Sequence, residues 1–346
     1  MPQGSVLGPL LFIIYINDIF RSTDQGKFVL FADDTNIFVA DESKFKAYEL
    51  GNKVLDSIYK YMKCNLLHIN YKKCCFMHFK PSRNDKSTDD QSLLKLNGLV
   101  IKRVIETKFL GVIIDDKLNW DAHISYLNSK LKCEIGKLHR MKYNIPGHVY
   151  KDIYHTLFES HLNYGISVWG GVSHRKLEPL FITQKKCIRI LFGDNVAYDN
   201  KFKTCARTRP KESQILGKEF YELEHSKPLF NDNNLLTVFN LYKYHCQLEM
   251  FKIMKLSSPI SLFSIFKVSH RRENLFITST PSTAFIYQST YIWNKCHKIS
   301  KYNNIGFNSS IAQTKNKVKN SLLIAQKQYE RDTWCSKNHD LTEFTF

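Results

Sequence analysis

Two apolar, β-prone runs, Lys27-Phe28-Val29-Leu30-Phe31-Ala32 and Ile37-Phe38-Val39-Ala40, are separated by only four polar residues, Asp33-Asp34-Thr35-Asn36. So short a polar interval forces the chain to fold back on itself, and the segment reads as a hairpin with its aspartates at the tip. Adjacent carboxylates repel at short range, a cost that a divalent cation removes. Hard cations such as Mg²⁺ take oxygen ligands and keep positions open for phosphate oxygens, so paired aspartates on a rigid turn suit phosphoryl transfer. A plain polar turn without any ligand is the simpler reading of the same four residues.

The charge of the whole chain favours a polyanionic partner. The 346 residues carry a formal net charge of +18, more than a small anionic metabolite requires, which points to nucleic acid or an acidic membrane surface. The excess is uneven: residues 1–120 hold 17 basic and 14 acidic residues, whereas residues 251–346 hold 14 and 5. Hydrophobic residues at 43% and charged residues at 24% exclude disorder, collagen and coiled coil. A length of this order predicts about two domains.

Nine cysteines are scattered with no Cys-x-x-Cys pair. Neither a zinc site nor a disulfide framework is expected, and free thiols suit an intracellular, reducing compartment. The most apolar stretch, Leu10-Leu11-Phe12-Ile13-Ile14-Tyr15-Ile16, falls well short of the about 20 residues that cross a bilayer, and no basic segment leads into it. No membrane association is expected. This stretch should be buried, yet it follows directly on Met1-Pro2-Gln3-Gly4-Ser5, which suggests a chain that starts inside a longer protein.

Beyond residue 120 the periodicity is helical. Ile124, Leu127, Leu131, Ile135, Leu138 and Met141 recur at three- and four-residue steps, predicting a helix with Lys130, Lys132, Lys137, Arg140 and Lys142 away from its apolar stripe. Pro146-Gly147 stops it. A second helix carries Val149, Ile153, Leu157 and Phe158, and a third spans about Leu177 to Leu191 with Lys185, Lys186 and Arg189 exposed. The polar run between Arg83 and Gln91 is a loop, residues 194–237 a boundary region, and Leu235 to Lys255 a further helix in a C-terminal region of uncertain fold. Aromatic residues mixed with Lys and Arg between His270 and Tyr302 suit either base stacking or an ordinary amphipathic core.

Several segments carry a resemblance. Pro2-Gln3-Gly4-Ser5-Val6-Leu7-Gly8-Pro9-Leu10-Leu11-Phe12, then Tyr15-Ile16-Asn17-Asp18-Ile19, then Phe31-Ala32-Asp33-Asp34-Thr35 resemble motifs B and C of the reverse transcriptases of non-LTR, jockey-like LINE-type retrotransposons. Cys64 to Lys73 resembles motif D, with Cys64 where a Trp is usual. Glu106-Thr107-Lys108-Phe109-Leu110-Gly111-Val112-Ile113-Ile114-Asp115 resembles motif E. Leu118 to Ile124, His161-Leu162-Asn163-Tyr164-Gly165 with Val168-Trp169-Gly170, and Gln184 to Arg189 resemble the thumb and tail of the same elements.

The resemblance implies an α+β architecture: a partial polymerase palm over 1–120 (motif B helix, Asp33-Asp34 hairpin, motif D and E strands), a helical thumb over 121–193, a boundary over 194–237 and a basic C-terminal region over 238–346. It implies that Asp33 and Asp34 ligate catalytic Mg²⁺, with Phe31 packed beside them, and that Gln3 and Gly4 border the incoming dNTP. Lys73 is then the general acid near the pyrophosphate leaving group, a role that suits an ammonium. Leu110 and Gly111 touch the primer end, and Lys185, Lys186 and Arg189 grip an RNA template and DNA primer duplex. Asp115-Asp116 is read as a turn rather than a second metal site, and Asp18 as a surface cap or pair.

In the family a further metal-binding aspartate, in motif A, precedes the Pro-Gln-Gly-Ser segment. The chain is therefore expected to be an N-terminally truncated RNA-directed DNA polymerase, inactive on its own. A non-catalytic nucleic-acid-binding remnant and an interrupted element product without a cellular role are the alternatives.

Overall fold

The computed structural model describes residues 4–79, 93–193, 226–256, 267–269, 274–276, 292 and 310–328. Gln3, the loop between Arg83 and Gln91, most of the boundary region and most of the stretch from His270 to Tyr302 lie outside them. Helices and strands are mixed, as expected for an α+β chain. Two compact units are present: residues 1–109 with 114–118, and residues 110–113 with 119–346.

The first unit begins with α1 (Leu7–Ile16). Its sequence is apolar all round, so no single face is marked for burial. Only Ile16 is buried, while Leu10, Leu11, Ile13, Ile14 and Tyr15 remain exposed. This corrects the expectation of a buried opening segment: the hairpin and second helix of this unit cover one side of α1 only.

Strands β1 (Lys27–Phe31) and β2 (Asp34–Phe38) pair antiparallel, with Phe31 opposite Asp34 and Val29 opposite Asn36. The turn is therefore Ala32-Asp33 alone, tighter than the four-residue polar centre read from sequence. Thr35 and Asn36 belong to the strand, where half-exposed positions accept polar side chains. Alternation sends Phe28, Leu30 and Ile37 inward to a cluster with Ile16, Ile19, Val54 and Ile58. It leaves Val29, Phe31 and Phe38 exposed on the other face.

Helix α2 (Lys44–Cys64) buries Tyr48, Gly51, Val54 and Ile58, spaced by three and four residues along one stripe. Its end is tied to α1: Tyr15 donates its hydroxyl to the Asn65 carbonyl at 2.6 Å, and Tyr61 donates to Asp18. Asp18 is thus the surface partner it was read to be. Short ladders follow. Strand β3 (Cys75–Phe76) runs parallel to β6 (Lys102–Arg103), and β4 (Lys95–Leu96) pairs with β5 (Leu99–Val100) across Asn97-Gly98. Strands β7 (Glu106–Phe109) and β8 (Val112–Asp115) form another two-stranded ladder joined by Leu110-Gly111.

The second unit is helical. Helix α3 (Asp121–Met141) buries Ile124, Leu127, Leu131 and Leu138, but Met141 is exposed because the α-helix ends there. A short turn, Lys142–Asn144, precedes Pro146. The second predicted helix is a composite of α4 (Tyr150–Ile153), a π-helical segment Tyr154–Glu159 and α5 (Ser160–Asn163). Next come α6 (Ile166–Trp169), α7 (His174–Phe192), α8 (Lys227–Asp232), α9 (Val238–Leu256) and α10 (Ile311–Gln328).

One core joins these helices, with Leu131, Tyr154, Trp169, Leu180, Phe230, Leu241 and Leu322 among its buried members. The described end of the boundary region is packed in it through Phe230, Leu235 and Leu236. Residues after 238 share this core as well, because α9 packs against α6 and α7 and α10 packs against α8 and α9. Strands β9 (Lys267–Ser269) and β10 (Asn274–Phe276) complete the described elements.

Candidate functional site

Hairpin geometry sets the two aspartates apart from their neighbours. Asp33 sits in the two-residue turn after Ala32, whose φ is 50°. Asp34 opens β2, directly across from Phe31, so the Asp34 side chain shares the outer face with Phe31 and Val29. Both carboxylates are exposed. Neither makes a hydrogen bond or ion pair among the described residues. Phe31 is 58% exposed, a cost for so large an apolar ring.

Two free carboxylate groups on consecutive residues provide hard oxygen donors and fit part of the shell of a divalent cation. No group of three His, Cys, Asp or Glu side chains that could hold a metal occurs among the described residues. The pair alone is therefore a partial site: it can hold an ion loosely and leaves most positions to water and phosphate.

The other sequence-predicted residues are dispersed. Gly4 is exposed with φ +91°, and a Cβ added there meets nothing within 4 Å. Lys73 is exposed in a turn, where its backbone N–H donates to Asn70 O at 3.0 Å. Its ammonium has no partner, and nothing joins it to the aspartates among the described residues. Asp115 closes a turn rather than a metal site: its Oδ1 accepts from Lys117 N at 3.1 Å and its carbonyl from Leu118 N at 3.0 Å.

On α7, Lys186 is exposed as expected, but Lys185 and Arg189 are half-buried. The Lys185 ammonium lies 4.6 Å from the centre of the Phe181 ring, a cation–π placement. Long cationic side chains lie along apolar surface in this way, so charge alone overstated their exposure. Further exposed cations occur on α3, at Lys130, Lys132, Lys137 and Arg140. Lys137 is paired with Glu134 at 2.8 Å.

Leu110-Gly111 is a left-handed turn, with φ of 44° and 84°, in which Leu110 is half-buried and Gly111 exposed. Sequence reasoning missed what holds it: Tyr164 donates its hydroxyl to the Leu110 carbonyl. The only local signal was the Tyr164-Gly165 pair, whose glycine takes a φ of +63°.

Residues 1–114 match the family model described as reverse transcriptase (RNA-dependent DNA polymerase). The chain is also similar to curated proteins of mobile elements. Over 205 residues the chain is 26% identical to the RNA-directed DNA polymerase from mobile element jockey of Drosophila melanogaster, covering 56% of this chain and 22% of that protein. Over 175 residues it is 27% identical to the retrovirus-related Pol polyprotein from type-1 retrotransposable element R1 of Bradysia coprophila, covering 49% and 17%. A probable RNA-directed DNA polymerase from transposon X-element of Drosophila melanogaster is 24% identical over 205 residues, again 56% and 22%. The chain thus spans about a fifth of the length of these relatives. No solved structure matches.

Proposed function

We propose that this chain is the motif B to thumb portion of a non-LTR retrotransposon reverse transcriptase, which extends a DNA primer along an RNA template. One observation carries the reading: within the region similar to reverse transcriptases, two consecutive aspartates stand exposed and unpartnered at a hairpin tip. Unpaired neighbouring carboxylates have no stabilising role in the hairpin, and they have the donor chemistry of a phosphoryl-transfer site.

Asp33 and Asp34 would hold Mg²⁺, which would supply charge neutralisation for the dNTP phosphates and acidify the primer hydroxyl. Phe31, across the strand from Asp34, walls the site on one side. Gln3 and Gly4 border the incoming dNTP, the bare Gly4 backbone leaving room for it. Lys73 gives a proton to the departing pyrophosphate. Leu110 and Gly111 support the primer end, while Lys185, Lys186 and Arg189 meet the backbone of the RNA–DNA duplex.

The described residues bring no third carboxylate to the pair. The isolated 346-residue chain is therefore expected to bind Mn²⁺ or Mg²⁺ weakly and to incorporate no dNTP. Mn²⁺ titration followed by electron paramagnetic resonance, alongside primer extension on RNA, tests this. Asp33→Asn with Asp34→Asn should abolish the bound-ion signal. Ion binding unchanged by that double substitution would remove the catalytic reading and favour a non-catalytic nucleic-acid-binding role, which the net charge of +18 supports independently.

A further inference from the structure

We propose that Tyr164 is a positioning residue for the primer end: it holds the Leu110-Gly111 turn in its strained left-handed shape, and so sets where that turn meets a recessed 3′ end. The inference rests on the reading of Leu110 and Gly111 as primer contacts, and it deepens that reading.

The turn has an internal cost. A two-residue hairpin loop with positive φ at both positions favours Asn-Gly or Gly-Gly. The Asn97-Gly98 turn has that sequence, with φ of 51° and 77°. At 110 the residue is leucine, with φ 44°, and a branched apolar side chain in the left-handed region costs about 1–2 kcal/mol. Backbone strain of this kind persists only where surrounding structure over-determines it.

Tyr164 supplies that constraint from far along the sequence. Its hydroxyl donates to the Leu110 carbonyl across a separation of 54 residues. Its ring lies against Gly111 so closely that a Cβ placed there would stand 3.1 Å from Cε1. Gly111 therefore answers both to its φ of +84° and to the ring beside it.

Tyr164 is itself anchored. Its carbonyl accepts from Trp169 Nε1 at 2.9 Å, and Trp169 is fully buried. The next residue, Gly165, would bring a Cβ within 3.2 Å of Val112 Cγ2. One hydrogen bond, one ring face and one glycine contact thus lock the turn to the helical core. The Tyr164 side still leaves the residue 56% exposed, and Gly111 is exposed too. Nothing in the fold requires a rigid turn to be presented to solvent, whereas a template-bound 3′ end requires a fixed support.

The test uses the full chain and three fluorescent nucleic acids: an RNA–DNA hybrid with a recessed DNA 3′ end, the same hybrid with blunt ends, and single-stranded RNA. Tyr164→Phe removes only the donor, and Gly111→Ala strains the turn. Both are expected to lower the preference for the recessed end by about fivefold, the equivalent of one hydrogen bond, with blunt-hybrid affinity unchanged in Tyr164→Phe and the melting temperature lowered in Gly111→Ala. Preference retained in Tyr164→Phe, or an equal loss on all three ligands, overturns the positioning role while leaving the primer reading intact. A wild-type chain that does not discriminate recessed from blunt ends overturns both.

Discussion

Gln184 Nε2 donates to the Tyr154 hydroxyl at 2.8 Å inside the core of the helical unit, where neither side chain reaches solvent. The same amide donates to Leu236 O at 2.9 Å and accepts from Val238 N at 2.9 Å. Gln326 repeats the device, donating to Leu235 O at 3.0 Å and accepting from Asn240 Nδ2 at 2.9 Å. Two buried glutamines therefore satisfy the backbone groups where the chain enters α9.

Replacing Gln184 with Leu should destabilise the helical unit strongly, since buried polar groups that lose their partners cost about 1–3 kcal/mol each. A lowered urea midpoint, followed by tryptophan fluorescence from Trp169, is the expected result. A midpoint within error of wild type would mean that water serves the orphaned groups equally well.

His123 ties the end of the β7–β8 turn region to the same core. Its Nδ1 accepts from Ile113 N at 3.3 Å and its ring is 5.3 Å from that of Trp169. Only 3% of the residue is exposed, and burial pushes its pKa down to about 4. In the unfolded chain the imidazole titrates near 6.5, so between about 6.5 and 4 the unfolded state binds the extra proton. The stability linked to His123 is therefore complete above pH 6.5 and lost as pH falls toward 4, by at most about 3 kcal/mol. His123→Phe should flatten the pH dependence of the denaturation midpoint across that window. His161 and His245 are also lowered, chiefly by burial, so a residual slope of the same sign is expected. An unchanged slope would show that His123 does not titrate with unfolding.

How much of this was legible in the sequence depends on the range of the interaction. The Asp33 hairpin was readable because alternation and turn composition are local. Its turn was placed too late, since Asp34, Thr35 and Asn36 are polar yet belong to the strand. The apolar run of α1 was read as buried because composition records a demand for cover without saying whether cover is present. Lys185 and Arg189 were read as exposed because charge was equated with solvent contact. The Tyr164–Leu110 bond joins residues 54 apart, and no periodicity reports such a pairing.

The uncovered side of α1 has a measurable consequence. Ile14 is 63% exposed and Leu10 54%, and across the hairpin Phe31 and Phe38 are 58% and 51% exposed. Apolar surface on this scale drives association. The purified chain should self-associate in sedimentation velocity, increasingly so at higher salt. Ile14→Lys with Leu10→Lys should shift it toward monomer without lowering the melting temperature, because neither side chain is packed in the core. A wild-type chain that is monomeric at high concentration would contradict this account of the surface.

Phosphate binding separates the two basic helices. Lys130, Lys132 and Arg140 on α3 are exposed and make no ion pair among the described residues. Burial, followed by the charge of Lys130, holds the pKa of His161 below its ordinary value against the opposing pull of Glu134. On α7 only Lys186 of the three cations is fully exposed. Each cation that neutralises a phosphate adds close to one unit to the slope of log affinity against log salt. Substituting Lys130, Lys132 and Arg140 together by Ala should therefore flatten that slope by about two to three units. Lys186→Ala should flatten it by about one, and Lys185→Ala by less, since its ammonium is already engaged with Phe181. Asp33→Asn should leave the slope nearly unchanged. Titrations on an RNA–DNA hybrid and a DNA duplex at several salt concentrations measure all four. A loss confined to the α7 substitutions would leave the phosphate track on that helix alone, and binding insensitive to salt would rule out a backbone grip on either helix.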